Sequence, residues 1–314
     1  MKALVTGAAG FIGSTLSERL IAAGADVTGI DCFTDYYPRP LKERNLSGLR
    51  KAPGFTFVEQ SLADADLESL LRGVTHVFHL AAQAGVRKSW GRDFRVYTVN
   101  NVDATQLLLE ACVGTPIERF VYASSSSIYG DDVALPMRED ARPQPVSPYG
   151  VTKLAAEQLC YLYHVNHGVP AVSLRYFTVY GPRQRPDMGF SRFFDAARRD
   201  RPITMFGDGR QTRDFTFVAD AVSATVSAGT RGTPGGVYNI GGGSRVELLE
   251  VFELVRLVTG RPLTIEQLDA QQGDMRDTYA DTTRARTDLG FAPTVTLEQG
   301  LRAQYEWMTH VDAK

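Results

Sequence analysis

Lys2-Ala3-Leu4-Val5-Thr6 runs straight into Gly7-Ala8-Ala9-Gly10-Phe11-Ile12-Gly13, so a short apolar strand ends in a turn with glycine at every third position. A helical period follows from Ser14 to Ala23, with apolar residues at Ile12, Leu16, Leu20 and Ile21, and Gly24 stops it. Asp26-Val-Thr-Gly-Ile30 reads as a second strand that ends in Asp31. Strand, glycine turn, helix, strand and acid, in that order, make a dinucleotide site. Gly7 permits the tight turn, Gly10 lets the backbone approach a pyrophosphate, and Gly13 allows close packing of helix on strand. The helix N-terminus, with Phe11 and Ile12 in its first turn, then faces the phosphates. Asp31 lies where a carboxylate bonds both ribose hydroxyls and repels a 2′-phosphate, which selects NAD over NADP.

The bulk composition narrows the class. With 314 residues, 43% hydrophobic, 22% charged and a net charge of −2, the chain has the make-up of an ordinary soluble α/β protein. Nothing in that balance suggests a nucleic-acid partner, and no apolar run is long enough for a membrane span. Cys32, Cys112 and Cys160 are scattered and odd in number, which predicts reduced packing residues. With the first strand beginning at Lys2, no signal peptide is expected, and the expected location is cytoplasmic.

Further along, Ser147-Pro148-Tyr149-Gly150-Val151-Thr152-Lys153 has the marks of a helix start, a capping serine and a proline in the first turn. Tyr149 and Lys153, four apart, project from one face, and of the thirteen tyrosines only Tyr149 has a lysine at that spacing. A phenol near an ammonium and a positive helix end has its anion favoured; a plain surface pair is the alternative reading. Taken with the three-and-three glycine spacing, these residues make the whole chain resemble the extended short-chain dehydrogenase/reductase family. The fold this implies is α/β: a Rossmann-type doubly wound parallel sheet with a smaller, mixed α/β substrate-binding domain.

The resemblance also assigns residues. Phe55-Thr-Phe-Val58 is the third strand, and Ser61-Leu62 after it stand where the family has an acid and an aliphatic residue touching adenine, so Ser61 implies a weaker polar contact. A helix is expected over 64–72 and a strand over His76–Leu80. Leu80, Ala81 and Ala82 close that strand at the cofactor. Arg87 is either a phosphate or carboxylate ligand or a solvated loop arginine. A helix over about 93–113 carries Asn100, which would touch the cofactor or orient the site, and Tyr176 ends a later strand beside the cofactor. Ser125, in the serine run Ser124–Ser127, matches the family's catalytic Ser/Thr. Sugar-nucleotide dehydratases carry Asp and Glu at the next two positions and decarboxylating relatives a Glu; Ser126 and Ser127 offer neither carboxylate. His164 and His167 are three apart without a third ligand nearby, so no metal is expected.

In the second half, the run Thr178-Val-Tyr-Gly-Pro-Arg-Gln-Arg185-Pro-Asp-Met188 and the early Asp35-Tyr36-Tyr37 loop resemble UDP-glucuronate 4-epimerases. In them, the counterparts of Thr178 and Arg185 hold the sugar carboxylate, and Ser126 and Ser127 complete the sugar site. Arg213 and Arg276, each on a glycine-containing loop, suit a diphosphate. The expected division is an NAD-binding domain over 1–176, rejoined by 214–241, and a UDP-sugar-binding domain from 177–213 and 242–314. The implied activity is 4-epimerisation of UDP-glucuronate and UDP-galacturonate with NAD retained. Tyr149 would take the 4-hydroxyl proton, Ser125 would bond that hydroxyl, and Lys153 would bond the nicotinamide ribose and lower the Tyr149 pKa. A 4-epimerase of a neutral UDP-hexose, a net dehydrogenase and a non-catalytic NAD-binding regulator are the alternatives. The family also implies a homodimer through the helices near 93–113 and 148–166.

Overall fold

Ala3, Leu4 and Val5 are all buried, and their strand is paired along both edges. An apolar run without alternation is what a strand covered on both faces requires. A computed structural model of the protein describes residues 1–312, with side chains described to His310. The central sheet contains β1 (Lys2–Thr6), β2 (Asp26–Asp31), β3 (Phe55–Glu59), β4 (His76–His79), β5 (Arg119–Ser125), β6 (Ala171–Tyr176) and β7 (Val237–Ile240). They lie in the order β7-β6-β5-β4-β1-β2-β3, every pair parallel.

Helices cover both faces. On one, α1 (Phe11–Ala22) and the Val218–Arg231 helix pack through Leu16, Leu20, Val222 and Ala228. On the other, the Ala104–Cys112 and Pro148–His167 helices pack through Leu108, Leu109, Ala156 and Cys160. The strand order reverses between β1 and β4, and a crevice opens at the carboxyl ends of those strands.

Several expected elements take a different form. The helix over 64–72 shrinks to Leu67–Leu70, capped by the Asp66 side chain, because Asp64 closes a turn back onto Ser61 instead. The helix over 93–113 is built of Phe94–Tyr97, a π-helical stretch Thr98–Asp103, and Ala104–Cys112. Cys112 and Cys160 are buried thiols, but Cys32 is exposed and so is not a packing residue. Beyond β6 the chain forms three two-stranded sheets, joining Val179–Tyr180 to Thr216–Phe217, Ile203–Phe206 to Ile265–Leu268, and Thr212–Asp214 to Arg245–Glu247. The Leu248–Thr259 and Leu297–Asp312 helices close this part over a core containing Tyr180, Phe190, Phe194 and Leu301. Among the described residues, no helix is long and apolar enough to cross a membrane.

One buried histidine locks the crevice from beneath. Thr6 Oγ1 accepts from Leu80 N at 3.1 Å and Ala81 N at 3.0 Å, so its own proton goes to His79 Nδ1, 2.7 Å away. Thr105 gives its proton to the Asn101 carbonyl, so His79 Nε2 must donate to Thr105 Oγ1. The ring is thereby held neutral, and burial drives its pKa down to about 3. A neutral buried histidine contributes stability above its unfolded pKa near 6.5, and that stability drains away as pH falls toward 3. Replacing His79 with Gln is expected to flatten the pH dependence of unfolding below pH 6.5 by about 1.4 kcal/mol per pH unit. Urea unfolding of both proteins between pH 4 and 7 checks this; parallel curves would show that His79 does not titrate on unfolding.

Candidate active site

The crevice is a cavity of ≈ 960 Å³. One end is the glycine turn. Gly7 has φ +69°, and a Cβ there would sit 2.9 Å from Ala81 N; at Gly13 it would collide with the Gly7 carbonyl oxygen. Gly10 precedes α1 and offers no side-chain cap, so the first N–H groups of that helix are left for a ligand. Phe11, Ile12, Ser61, Leu62, Leu80, Ala81, Ala82, Asn100 and Tyr176 all line the cavity with the three glycines. Asp31 lines it too, its Oδ1 accepting from Phe33 N at 2.8 Å and its Oδ2 from Ala9 N at 3.1 Å. Burial raises its pKa, an effect that these two backbone bonds and Lys42 oppose. An uncapped helix end, a floor with no room for side chains and a pinned carboxylate fit the pyrophosphate and ribose of NAD.

The middle of the cavity holds the tyrosine. Ser147 caps its helix, accepting from Gly150 N at 3.1 Å. Tyr149, Lys153 and Ser125 meet here, with Ser126 and Ser127 beside them. Burial raises the Tyr149 pKa; the charge of Arg185 and a hydrogen bond with Ser125 oppose it. The lowering expected from Lys153 is thus supplied by Arg185 and Ser125, and burial outweighs both. Lys153 instead donates from Nζ to the Ala123 carbonyl at 2.7 Å, and burial brings its pKa down to about 8.

At the substrate end, Thr178, Arg185, Arg87 and Arg213 line the cavity, and Arg276 does not. Arg87 pairs with Asp274 at 2.6 Å and lies over the Phe206 ring. Arg213 reaches three carbonyls, those of Thr212, Met275 and Arg276. The Arg276 side chain, 62% exposed, points outward to Asp208, while its backbone carbonyl accepts from Arg213. His164 bonds the Val169 carbonyl and His167 packs on Tyr163.

The structure also brings in residues that pattern reading missed. Asn101, not Asn100, ties the site together: it accepts from Gln83 N at 2.7 Å and donates to Gln83 O and to Thr152 Oγ1. Asn100 bonds Val96 within its own helix. Both asparagines lie in the π-helical stretch, Asn100 lining the cavity and Asn101 buried beneath it. Tyr97, edge-on to Tyr149, donates to the Ala84 and Gly85 carbonyls. Arg183 joins the substrate segment to α1, bonding Glu18 at 2.7 Å. The adjacent Asn pair was the one available signal; the others come together only through the fold.

Comparison with known proteins agrees with this geometry. The model of the NAD dependent epimerase/dehydratase family matches residues 3–241. An uncharacterized UDP-glucose epimerase of Bacillus subtilis is 45% identical over 311 residues, 98% of each chain. A UDP-glucuronate 4-epimerase of Thermodesulfobacterium geofontis is 36% identical over 309 residues, covering 97% of this chain and 95% of that protein. The crystal structure of UDP-glucuronic acid 4-epimerase from Bacillus cereus, in complex with UDP-glucuronic acid and NAD, superposes with a TM-score of 0.96 at 44% identity, covering 99% of this chain and all of that one.

Lys153 carries a cost that can be measured. Its lowered pKa means that the fold penalises the ammonium fully below about pH 8 and progressively less up to its unfolded value near 10.5. Lys153→Met, losing also the bond to Ala123, is expected to stabilise the protein by about 2 kcal/mol at pH 7 and to abolish turnover. Thermal unfolding at pH 7 and pH 10 checks it: the gain should fade at the higher pH, and a variant less stable at pH 7 would contradict the assignment.

Proposed function

The chain belongs to the NAD dependent epimerase/dehydratase family, and from that membership we propose that it interconverts UDP-glucuronate and UDP-galacturonate at C4. The observation that carries this reading is the pairing of a cation with missing carboxylates. Arg185 lies close enough to act on Tyr149, while Ser126 and Ser127 stand where an elimination would need an acid and a base.

Gly7, Gly10, Phe11, Ile12, Gly13 and Asp31 would hold the phosphate and adenosine half of NAD, with Ser61 and Leu62 at the adenine. Leu80, Ala81, Ala82, Asn100, Tyr176 and Lys153 would hold the nicotinamide half. When bound, NAD accepts a hydride from C4, returns it to the opposite face, and adds positive charge beside Tyr149. Tyr149 takes the proton of the 4-hydroxyl, and Ser125 bonds the same oxygen. Lys153, charged below about pH 8, adds positive charge on the same helix face. The oxidised sugar is a β-keto acid, which loses carbon dioxide when its carboxylate stands out of the ketone plane. Arg185, with Thr178 and Ser126, holds the carboxylate by directed donors and keeps it in that plane. Arg87 and Arg213 face the diphosphate.

Residues 1–176 with 214–241 make the NAD-binding domain, and 177–213 with 242–314 the UDP-sugar domain. A cytoplasmic enzyme without a nucleic-acid partner suits the net charge of −2. A homodimer is supported by Val96, Val99 and Leu107 on one helix and Val151, Leu162 and Val165 on the next, all exposed and apolar. A neutral UDP-hexose is the second reading, favoured by the Bacillus subtilis relative's description.

Proton NMR of UDP-glucuronate with the purified protein and no added NAD should show UDP-galacturonate growing in, and UDP-glucose beside it should react far more slowly. Only UDP-glucose turning over would establish the second reading. Arg185→Ala should lower kcat/KM for UDP-glucuronate roughly 10- to 100-fold, the worth of a charge-assisted hydrogen bond, and raise the UDP-pentose by-product. An unchanged by-product level would remove Arg185 from the restraint. Light scattering should give a dimer that Leu162→Asp with Val165→Asp converts to monomer; a monomeric wild type would exclude this interface.

A further inference from the structure

Arg185 does not enter the cavity as a free cation. Its Nε donates to Asp187 Oδ1 and its Nη2 to Asp187 Oδ2, both at 3.0 Å. This two-point pair occupies the side edge of the guanidinium. Among the described residues, both Nη1 hydrogens and one on Nη2, the end edge of the fork, remain available. Asp187 is held in turn, because the Tyr36 hydroxyl donates to its Oδ2 at 3.2 Å. Tyr36 comes from the loop after β2, 151 residues away along the chain. It can sit there only because of Gly85, whose φ is +101° and where a Cβ would collide with the Tyr36 hydroxyl. Lys88 lies over the Tyr36 ring at 5.1 Å, and Tyr97 fixes the Gly85 carbonyl from the other side at 2.7 Å. Gly85, Tyr36, Asp187 and Arg185 all line the same cavity.

We propose that Asp187, steadied by Tyr36, is a positioning residue that aims the end edge of Arg185 at the substrate carboxylate and thereby sets the preference for an acidic over a neutral sugar. This rests on the function proposed above. A lone arginine would draw any anion, the diphosphate included, and would have to order a side chain carrying about 2 kcal/mol of rotamer entropy. With Asp187 attached, most of its charge is cancelled at a distance, and attraction survives along the free N–H directions. Only a planar acceptor meeting that edge gains both hydrogen bonds. A neutral hydroxymethyl group gains at most one, and a carboxylate turned out of plane loses one. Asp187 therefore serves selectivity and retention of the carboxyl group together.

The test uses Asp187→Asn, Asp187→Glu and Tyr36→Phe in the full-length protein. Asp187 is 31% exposed in its side chain, so the substitutions leave the core intact. Calorimetry gives the affinities for UDP-glucuronate and UDP-glucose, and NMR gives kcat, KM and the UDP-pentose fraction. Asp187→Asn should weaken UDP-glucuronate roughly 5- to 20-fold, as one charge-assisted pair is loosened, with UDP-glucose within about twofold of wild type. The by-product fraction should rise. Tyr36→Phe should move both readouts the same way by less, and Asp187→Glu should restore part of the affinity. A wild-type affinity ratio and by-product fraction in both Asp187→Asn and Tyr36→Phe would overturn the proposal, as would tighter UDP-glucuronate binding in Asp187→Asn. If the wild type turns over no UDP-glucuronate, the function fails, yet the affinity ratio still decides the role of Asp187.

Discussion

A single buried hydrogen-bond chain runs from the cofactor turn to the tyrosine, and the site depends on it. Thr6 at the end of β1 bonds His79 on β4; His79 bonds Thr105; Thr105 bonds the Asn101 carbonyl; Asn101 bonds Thr152; and Thr152 donates to the Tyr149 carbonyl at 2.8 Å. All five side chains are buried, so none can exchange a partner for water. Each donor is matched to one acceptor, so the chain has a fixed direction. It couples the backbone that would face NAD to the helix that carries Tyr149, through elements far apart along the chain that the fold packs together.

Electrostatics then separates the roles of the site's charged groups. Lys153 is buried and loses basicity; Tyr149 is buried and loses acidity; both shifts come first from desolvation. Arg185 is the charge that acts on Tyr149 from the substrate side. If Arg185 recognises the carboxylate as proposed, the same charge would also ease removal of the hydroxyl proton by Tyr149 and link choice of substrate to readiness of the base. The buried Arg175–Glu157 pair, which also holds the Ser124 hydroxyl at 2.6 Å, keeps the serine strand rigid beneath this arrangement.

Much of this was legible along the chain because local rules sufficed. Gly7, Gly10 and Gly13 answer to backbone sterics within one turn. Tyr149 and Lys153 answer to helical spacing, and Ser147 to capping. The helix over 64–72 failed for the same kind of reason, since Asp66 caps a much shorter one. The placement of Arg276 beside Asp208 was not legible, because a loop arginine looks alike whether it faces a cavity or a surface carboxylate. Asn100 lines the cavity as expected, but the bridging role of Asn101 was missed because its partners Gln83 and Thr152 are brought to it only by the fold.

Periodicity, glycine spacing and the acid after the second strand were enough to mark one dinucleotide-binding βαβ unit, its cofactor and the tyrosine helix; the doubly wound sheet was implied by the family resemblance those residues carry. These are properties of segments, set by sterics and hydrogen bonds between near neighbours. Which cation reaches Tyr149, which asparagine bridges the helices, and how Asp187 and Tyr36 orient Arg185 were decided only on folding. Those contacts join residues separated by up to 151 positions, and their partners are chosen by the packing of the sheet rather than by any local pattern.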